Sequence, residues 1–358
     1  MIRSFTAAFK KTVLPLFLLL VAGIIISPKQ IKAQDVEYPI TMPAVFHNGL
    51  IFLKPVSHDG DTLRFFTDSA DASLIYQSSV ARLGLTTTSA IIQGQQQQAA
   101  FLPPFDSTRY IPSPLISDGL IPVRADERKP PHHQVILDRG AGIPPADGIL
   151  GSTWFATRTW SINYREETFH IIPTGNTNGA DAWFRKEENG HRNAGSDHSG
   201  SDHSIPISFL KEGDQRRFHF ARLEVIIAGD TFSMVLKTGS HIILDDNGRK
   251  KLDHPDAIFP SGLISESVFE TWRGSHPDWP VFENADSNYG SDVIEVPKIR
   301  IGRHTAGPVR FAVRRDEAFL DWFSQFTDKP VEGALGPDAF RNAHITLNYP
   351  LSLLIFHD

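Results

Sequence analysis

Residues 232–244 read FSMVLKTGSHIIL. The apolar run Met234-Val235-Leu236 reads as a strand, and Thr238-Gly239-Ser240 reads as the turn that ends it. A lysine, Lys237, sits at the junction. The stretch is also one copy of a repeat. GDTLRFFTDSAD (60–71) aligns without gaps on GDTFSMVLKTGS (229–240), which sets Asp68 opposite Lys237. Further on, DGILGSTWFATRTWSINY (147–164) aligns on EGALGPDAFRNAHITLNY (332–349), with Gly148, Leu150, Gly151, Phe155, Asn163 and Tyr164 recurring as Gly333, Leu335, Gly336, Phe340, Asn348 and Tyr349. A looser match, YPI (38–40) with IPI (205–207), opens each half. Separate blocks repeating in one order predict two copies of one fold.

The rest of the 358 residues fits that division. Basic residues up to Lys11 followed by the apolar run Val13–Ser27 read as a signal peptide over 1–33, with Ala33 as the expected cleavage position. The run is short for a membrane span, so membrane association is expected only if the segment is retained. Residues 34–172 form the first lobe, 173–204 a linker rich in Gly, Ser, Asn and Asp, and 205–358 the second lobe. The linker's His191, Asp197, His198, Asp202 and His203 lack a defined ligand spacing, so neither a metal nor another cofactor is expected. No cysteine is present, which removes disulfides and thiol catalysis. The loss of residues 1–33 takes away five basic and no acidic residues and moves the formal charge from −6 to −11. A nucleic acid is therefore not an expected partner. The expected location is periplasmic or extracellular.

With 25 Pro and 26 Gly, the composition favours strands and turns. WSINY–TFHII and ITLNY–LSLLIF predict hairpins that close each half. Helical pattern is confined to SSVARLGL (78–85), SESVFETW (265–272) and DEAFLDWFSQF (316–326). QGQQQQAAFLPPF (94–106) is too polar and irregular for a core strand and reads as a loop or flap, with Tyr110 beyond it. There is no G-x-S-x-G elbow to assemble a serine triad. The adjacent histidines of KPPHHQVIL (129–137) read as a surface loop. Trp272, Trp279, Phe282 and Tyr289 suit either packing or a ligand cleft.

FFTDSAD, VARLGL and GILG in one half, with MVLKTGS and GALG in the other, resemble the two lobes of the pepsin/retropepsin-like aspartic protease superfamily. The resemblance covers about residues 37–171 and 205–357. It implies a mostly β, bilobal fold of two repeated β-barrel-like lobes with a cleft between them. It also implies two carboxylates that share one proton and activate a water. Asp68 matches the first catalytic aspartate and Ser69 its bracing hydroxyl, while Ala70 and Asp71 depart from the pattern. Thr238, Gly239 and Ser240 match the supporting loop of the second lobe, but Lys237 stands where the second aspartate belongs. A register shifted by one would set Thr67 there instead of Asp68.

An ammonium opposite Asp68 favours the ionised carboxylate and cannot share a proton with it as a second acid would. The expectation is a degenerate peptidase that binds an extended peptide or protein segment in the cleft. The alternatives are an active aspartic endopeptidase pairing Asp68 with an unorthodox partner such as Asp71, and a non-catalytic envelope scaffold whose cleft is plugged by residues 94–130 or 273–295. The oligomeric state is not legible.

Overall fold

The repeat in sequence becomes a repeat in strand pairing. A computed structural model describes residues 40–57, 59–92, 95–103, 119–125, 146–156, 158–172 and 203–357. The signal segment, nearly all of the linker, Tyr110 and the His132-His133 pair lie outside the described residues.

In the first half, Phe65–Thr67 pairs in parallel with Gly148–Leu150, which pairs antiparallel with Leu74–Tyr76, which runs parallel to Leu120–Arg124. In the second half, Asp230–Leu236 pairs in parallel with Gly333–Leu335, which pairs antiparallel with Gly262–Ser265, which runs parallel to Val309–Arg314. Even the register repeats: Thr67 opposes Leu150 as Leu236 opposes Leu335. Two of the recurring glycines have a steric reason. A Cβ on Gly148 would lie 2.1 Å from the Leu74 carbonyl oxygen, and one on Gly333 would lie 2.5 Å from that of Leu263. Backbones approach too closely there for any side chain.

These pairings sit inside an eight-stranded sheet in the first half and a nine-stranded sheet in the second. The described residues are mostly β, with 47% in strands and 16% in helices. Among the described residues the expected barrel-like closure is not seen: each sheet has two edge strands, Ala44–His47 and Thr87–Ile92 in one, Val281–Asp286 and His304–Ala306 in the other.

A third sheet of six strands is shared by both halves, in the order Ile40–Thr41, Thr168–Ile172, Thr159–Asn163, His344–Asn348, Leu353–His357, Ser204–Pro206. The two closing hairpins meet at its centre, where Ser161 opposes Thr346. Alternation sends Trp160, Ile162, Ile345 and Leu347 to one face, where they are buried with Trp154, Phe169 and Tyr349. Trp154 and Trp160 pack with ring centres 4.2 Å apart. The other face carries His170, Ser161, His344 and Thr346.

The expected helices form at Gln77–Arg82 and Glu266–Ser275, and 316–326 becomes a π-helical turn, Ala318–Trp322, followed by a 3-10 turn, Phe323–Phe326. The Gln-rich segment differs from its expected irregular course. Gln95–Phe101 is a regular strand paired with Thr87–Ile92 and Leu120–Arg124. Its glutamines mostly face solvent while Ala99 and Ala100 are buried, so backbone pairing and two small apolar side chains hold it as a strand.

Candidate functional site

The strands ending at Thr67 and Leu236 each leave their sheet into a short turn, 68–71 and 237–240. Asp68 N–H donates to Leu150 O at 3.0 Å, and Lys237 N–H donates to Leu335 O at 2.9 Å. Asp71 N–H then donates to Asp68 O, as Ser240 N–H donates to Lys237 O. Asp68 and Lys237 are therefore equivalent positions. The shifted register is excluded, since Thr67 lies within the strand and its Oγ1 donates to Ile51 O at 3.1 Å.

The two turns brace each other across the halves. Ser69 N–H donates to Thr238 Oγ1 at 3.0 Å, and Thr238 N–H donates to Ser69 Oγ at 3.1 Å. Ser69 Oγ donates in turn to Leu236 O at 2.8 Å. All of these groups are buried, so losing one partner strands a polar group without water.

The brace brings the two odd residues together. Lys237 Nζ donates to Asp68 Oδ2 at 2.5 Å, and Asp68 Oδ1 accepts from Ala70 N–H at 3.0 Å. The Asp68 side chain is 3% exposed and that of Lys237 16%. Gly239 is what leaves room for it, because a Cβ there would lie 2.7 Å from Asp68 Cβ, Cγ and Oδ2. Ala70, the equivalent residue of the first half, instead buries its methyl group in an apolar cluster with Phe220, Val235 and Ala334. Burial works against the Lys237 ammonium, but the charges of Asp68 and Asp71 outweigh it and raise its pKa. The lysine therefore stays cationic, and Asp68 has one oxygen committed to it and the other to a backbone amide. Neither oxygen is placed to share a proton with a second acid.

A pocket of about 230 Å³ opens beside this pair. Phe66, Ile149, Ile243 and Leu263 supply apolar walls, and Asp68, Asp71, Lys237, His241, Asp286, Tyr289 and Arg314 supply polar groups. Asp71 is half-buried, and its Oδ1 accepts from Ala72 N–H at 2.7 Å. Burial raises its pKa, the Asp68 charge adds to the rise, and Lys237 opposes it. Asp286 is fully buried and held by Arg314 at 2.7 Å, and the Arg314 guanidinium lies 4.2 Å from the centre of the exposed Tyr289 ring. His241 Nδ1 is 2.8 Å from Gly239 O and donates to it, and burial lowers the His241 pKa.

Of the four aromatics weighed from sequence, only Tyr289 reaches the pocket. Trp272 is buried against Phe232, Trp279 and Phe311. His241 stands directly after the Thr-Gly-Ser turn and was open to discovery from its position. Asp286 and Arg314 lie on distant strands, and no pattern in the sequence marks them. Among the described residues, no group of three or more His, Cys, Asp or Glu is arranged to hold a metal ion. No helix among them is long and apolar enough to cross a membrane.

Compared by sequence, the chain matches no protein-family model and no curated protein. By structure it is similar to conglutin gamma, a basic 7S globulin from lupine seeds, with a TM-score of 0.42 and 9% identity over 89% of this chain and 95% of that one.

Proposed function

We propose that this protein is an exported, bilobal relative of the pepsin-like peptidases whose catalytic acid pair has become an ion pair, and that it holds an extended peptide without cutting it. The observation that carries this reading is the 2.5 Å contact between Lys237 and Asp68 inside a doubly braced pair of turns. Aspartic-peptidase chemistry needs one carboxyl protonated and the other ionised at that point. Here the second position holds a permanent cation, and its ammonium takes the carboxylate oxygen that an activated water would need. The bracing hydroxyls and the pocket remain, which supports binding in place of turnover. The basic and apolar N-terminal segment supports export.

A second reading, residual peptidase activity, is favoured by one observation. Asp71 shares the pocket with Asp68, and its proton is held more tightly than an ordinary carboxyl's. Two acids with unlike environments are the elements of acid–base catalysis.

The deciding experiment incubates the purified protein with an unbiased peptide pool from about pH 3 to 7, where carboxylate dyads work, with Asp68→Asn as control. The expected result is peptide capture without cleavage. Cleavage that disappears in Asp68→Asn overturns the reading and establishes the peptidase.

A further inference from the structure

We infer that the pocket takes a basic side chain of the bound segment, a lysine or arginine, with its cationic head on Asp71. This rests on the peptide-binding reading above and names the class of residue that the site selects.

Among the described residues, three carboxylates and two cations line the pocket. Asp68 is paired with Lys237 and Asp286 with Arg314, so both cations are spoken for. Asp71 remains. Among the described residues it has no cation within 4 Å, and the one hydrogen bond its side chain makes to them is from Ala72 N–H. The charged groups that act on it are Asp68 and Lys237 at the turns and Arg124 on the strand Leu120–Arg124. A half-buried carboxylate without a counter-ion carries a desolvation cost that a ligand cation would remove.

The fold does not require an acid here. The equivalent residue of the second half is Ser240, whose N–H closes its turn on Lys237 O as that of Asp71 does on Asp68 O. The shape of the pocket fits the same ligand. At about 230 Å³ it is smaller than the roughly 300 Å³ from which drug-sized sites begin, which suits one side chain. Its apolar walls, Phe66, Ile149, Ile243 and Leu263, suit the methylene stem that lysine and arginine lay against apolar surface while the charge finds a polar partner.

The test compares two hexapeptide mixtures with five random positions, one with lysine and one with norleucine at the sixth. Binding to the purified protein is measured near pH 7. The lysine mixture is expected to bind at least tenfold more tightly. In Asp71→Ser, which installs the residue of the equivalent turn, and in Asp71→Asn, that preference should fall to near unity while norleucine binding persists. Acidification that protonates Asp71 should weaken the lysine mixture selectively. Equal binding of the two mixtures, or a preference that survives Asp71→Ser, overturns the inference and leaves peptide binding intact. If neither mixture binds, peptide binding fails. N-acetyl-lysine amide then decides the rest: thermal stabilisation that depends on Asp71 supports the cation site alone, and its absence removes both.

Discussion

Asp68 and Lys237 are worth more together than either is alone. A buried pair broken by removing one partner costs about 3 kcal/mol or more, because a charge is left without compensation. Asp68→Asn is therefore expected to lower unfolding stability by about 3 kcal/mol. Lys237→Met should cost less, since Asp68 keeps the Ala70 amide, and the double variant should lie closer to the original protein than to Asp68→Asn. Denaturant unfolding of all four proteins measures the coupling, and simple additivity would refute it. The neighbours of the pair make a second prediction. Gly239 admits the Asp68 side chain only because it lacks a Cβ. By the repeat, an acid installed in the second turn would meet the methyl of Ala70. Lys237→Asp alone is thus expected to leave peptide cleavage absent, and any gain should require Ala70→Gly as well. Activity in the single variant would show that the first turn adapts freely.

Elements explain why the pair meets at all. Each turn hangs from a parallel strand pair crossed by an antiparallel one, and the crossing is possible only at glycine. Gly333→Ala sets a methyl 2.5 Å from the Leu263 carbonyl oxygen, and Gly148→Ala sets one 2.1 Å from that of Leu74. Overpacking of this kind costs about 1–3 kcal/mol or more, and the expected order is Gly148→Ala worse than Gly333→Ala. Thermal unfolding of the two variants checks that order. The hairpins, the helices Gln77–Arg82 and Glu266–Ser275 and the equivalence of the two turns were legible in sequence, because each rests on local periodicity or an ungapped repeat, whereas the helix Asp246–Lys251 was not. The merging of the closing hairpins into one sheet was not. Its pairing of Thr159–Asn163 with His344–Asn348 joins residues some 180 positions apart, and nothing in either strand names its partner. The Gln-rich strand escaped for a related reason, since its side chains lack the alternation that marks a strand.

At the scale of the whole molecule, one buried and five half-buried histidines set the response to acid. His47, His170, His219, His241, His304 and His344 all have lowered pKa values, with burial the largest cause in each, and His344 falls to about 3 beside His357. A histidine whose folded pKa is depressed takes up protons only on unfolding, so stability is lost as pH falls below the unfolded value of 6.5. For His344 alone the loss between pH 6.5 and 5 is about 2 kcal/mol. Asp71 and Asp338 act in the opposite sense, because their raised pKa values let the folded state take up protons ahead of the unfolded one as pH falls, but they are two groups against six histidines. The net expectation is a denaturation midpoint that drops from pH 7 to pH 5, and a shallower drop in His344→Gln. A midpoint that holds or rises on acidification would contradict it.

The sequence by itself determined the doubling of the chain, its strand-rich character, and the placement of Asp68 opposite Lys237, because these follow from repeats and periodicities within one segment at a time. Only the tertiary structure decided that Lys237 reaches Asp68, that Asp71 shares their pocket without a counter-ion, and that Asp286, Tyr289 and Arg314 complete the wall. Those facts depend on which side chains converge from strands far apart in the chain. Convergence is a property of packing, and packing depends on volumes and close approaches that no local pattern encodes.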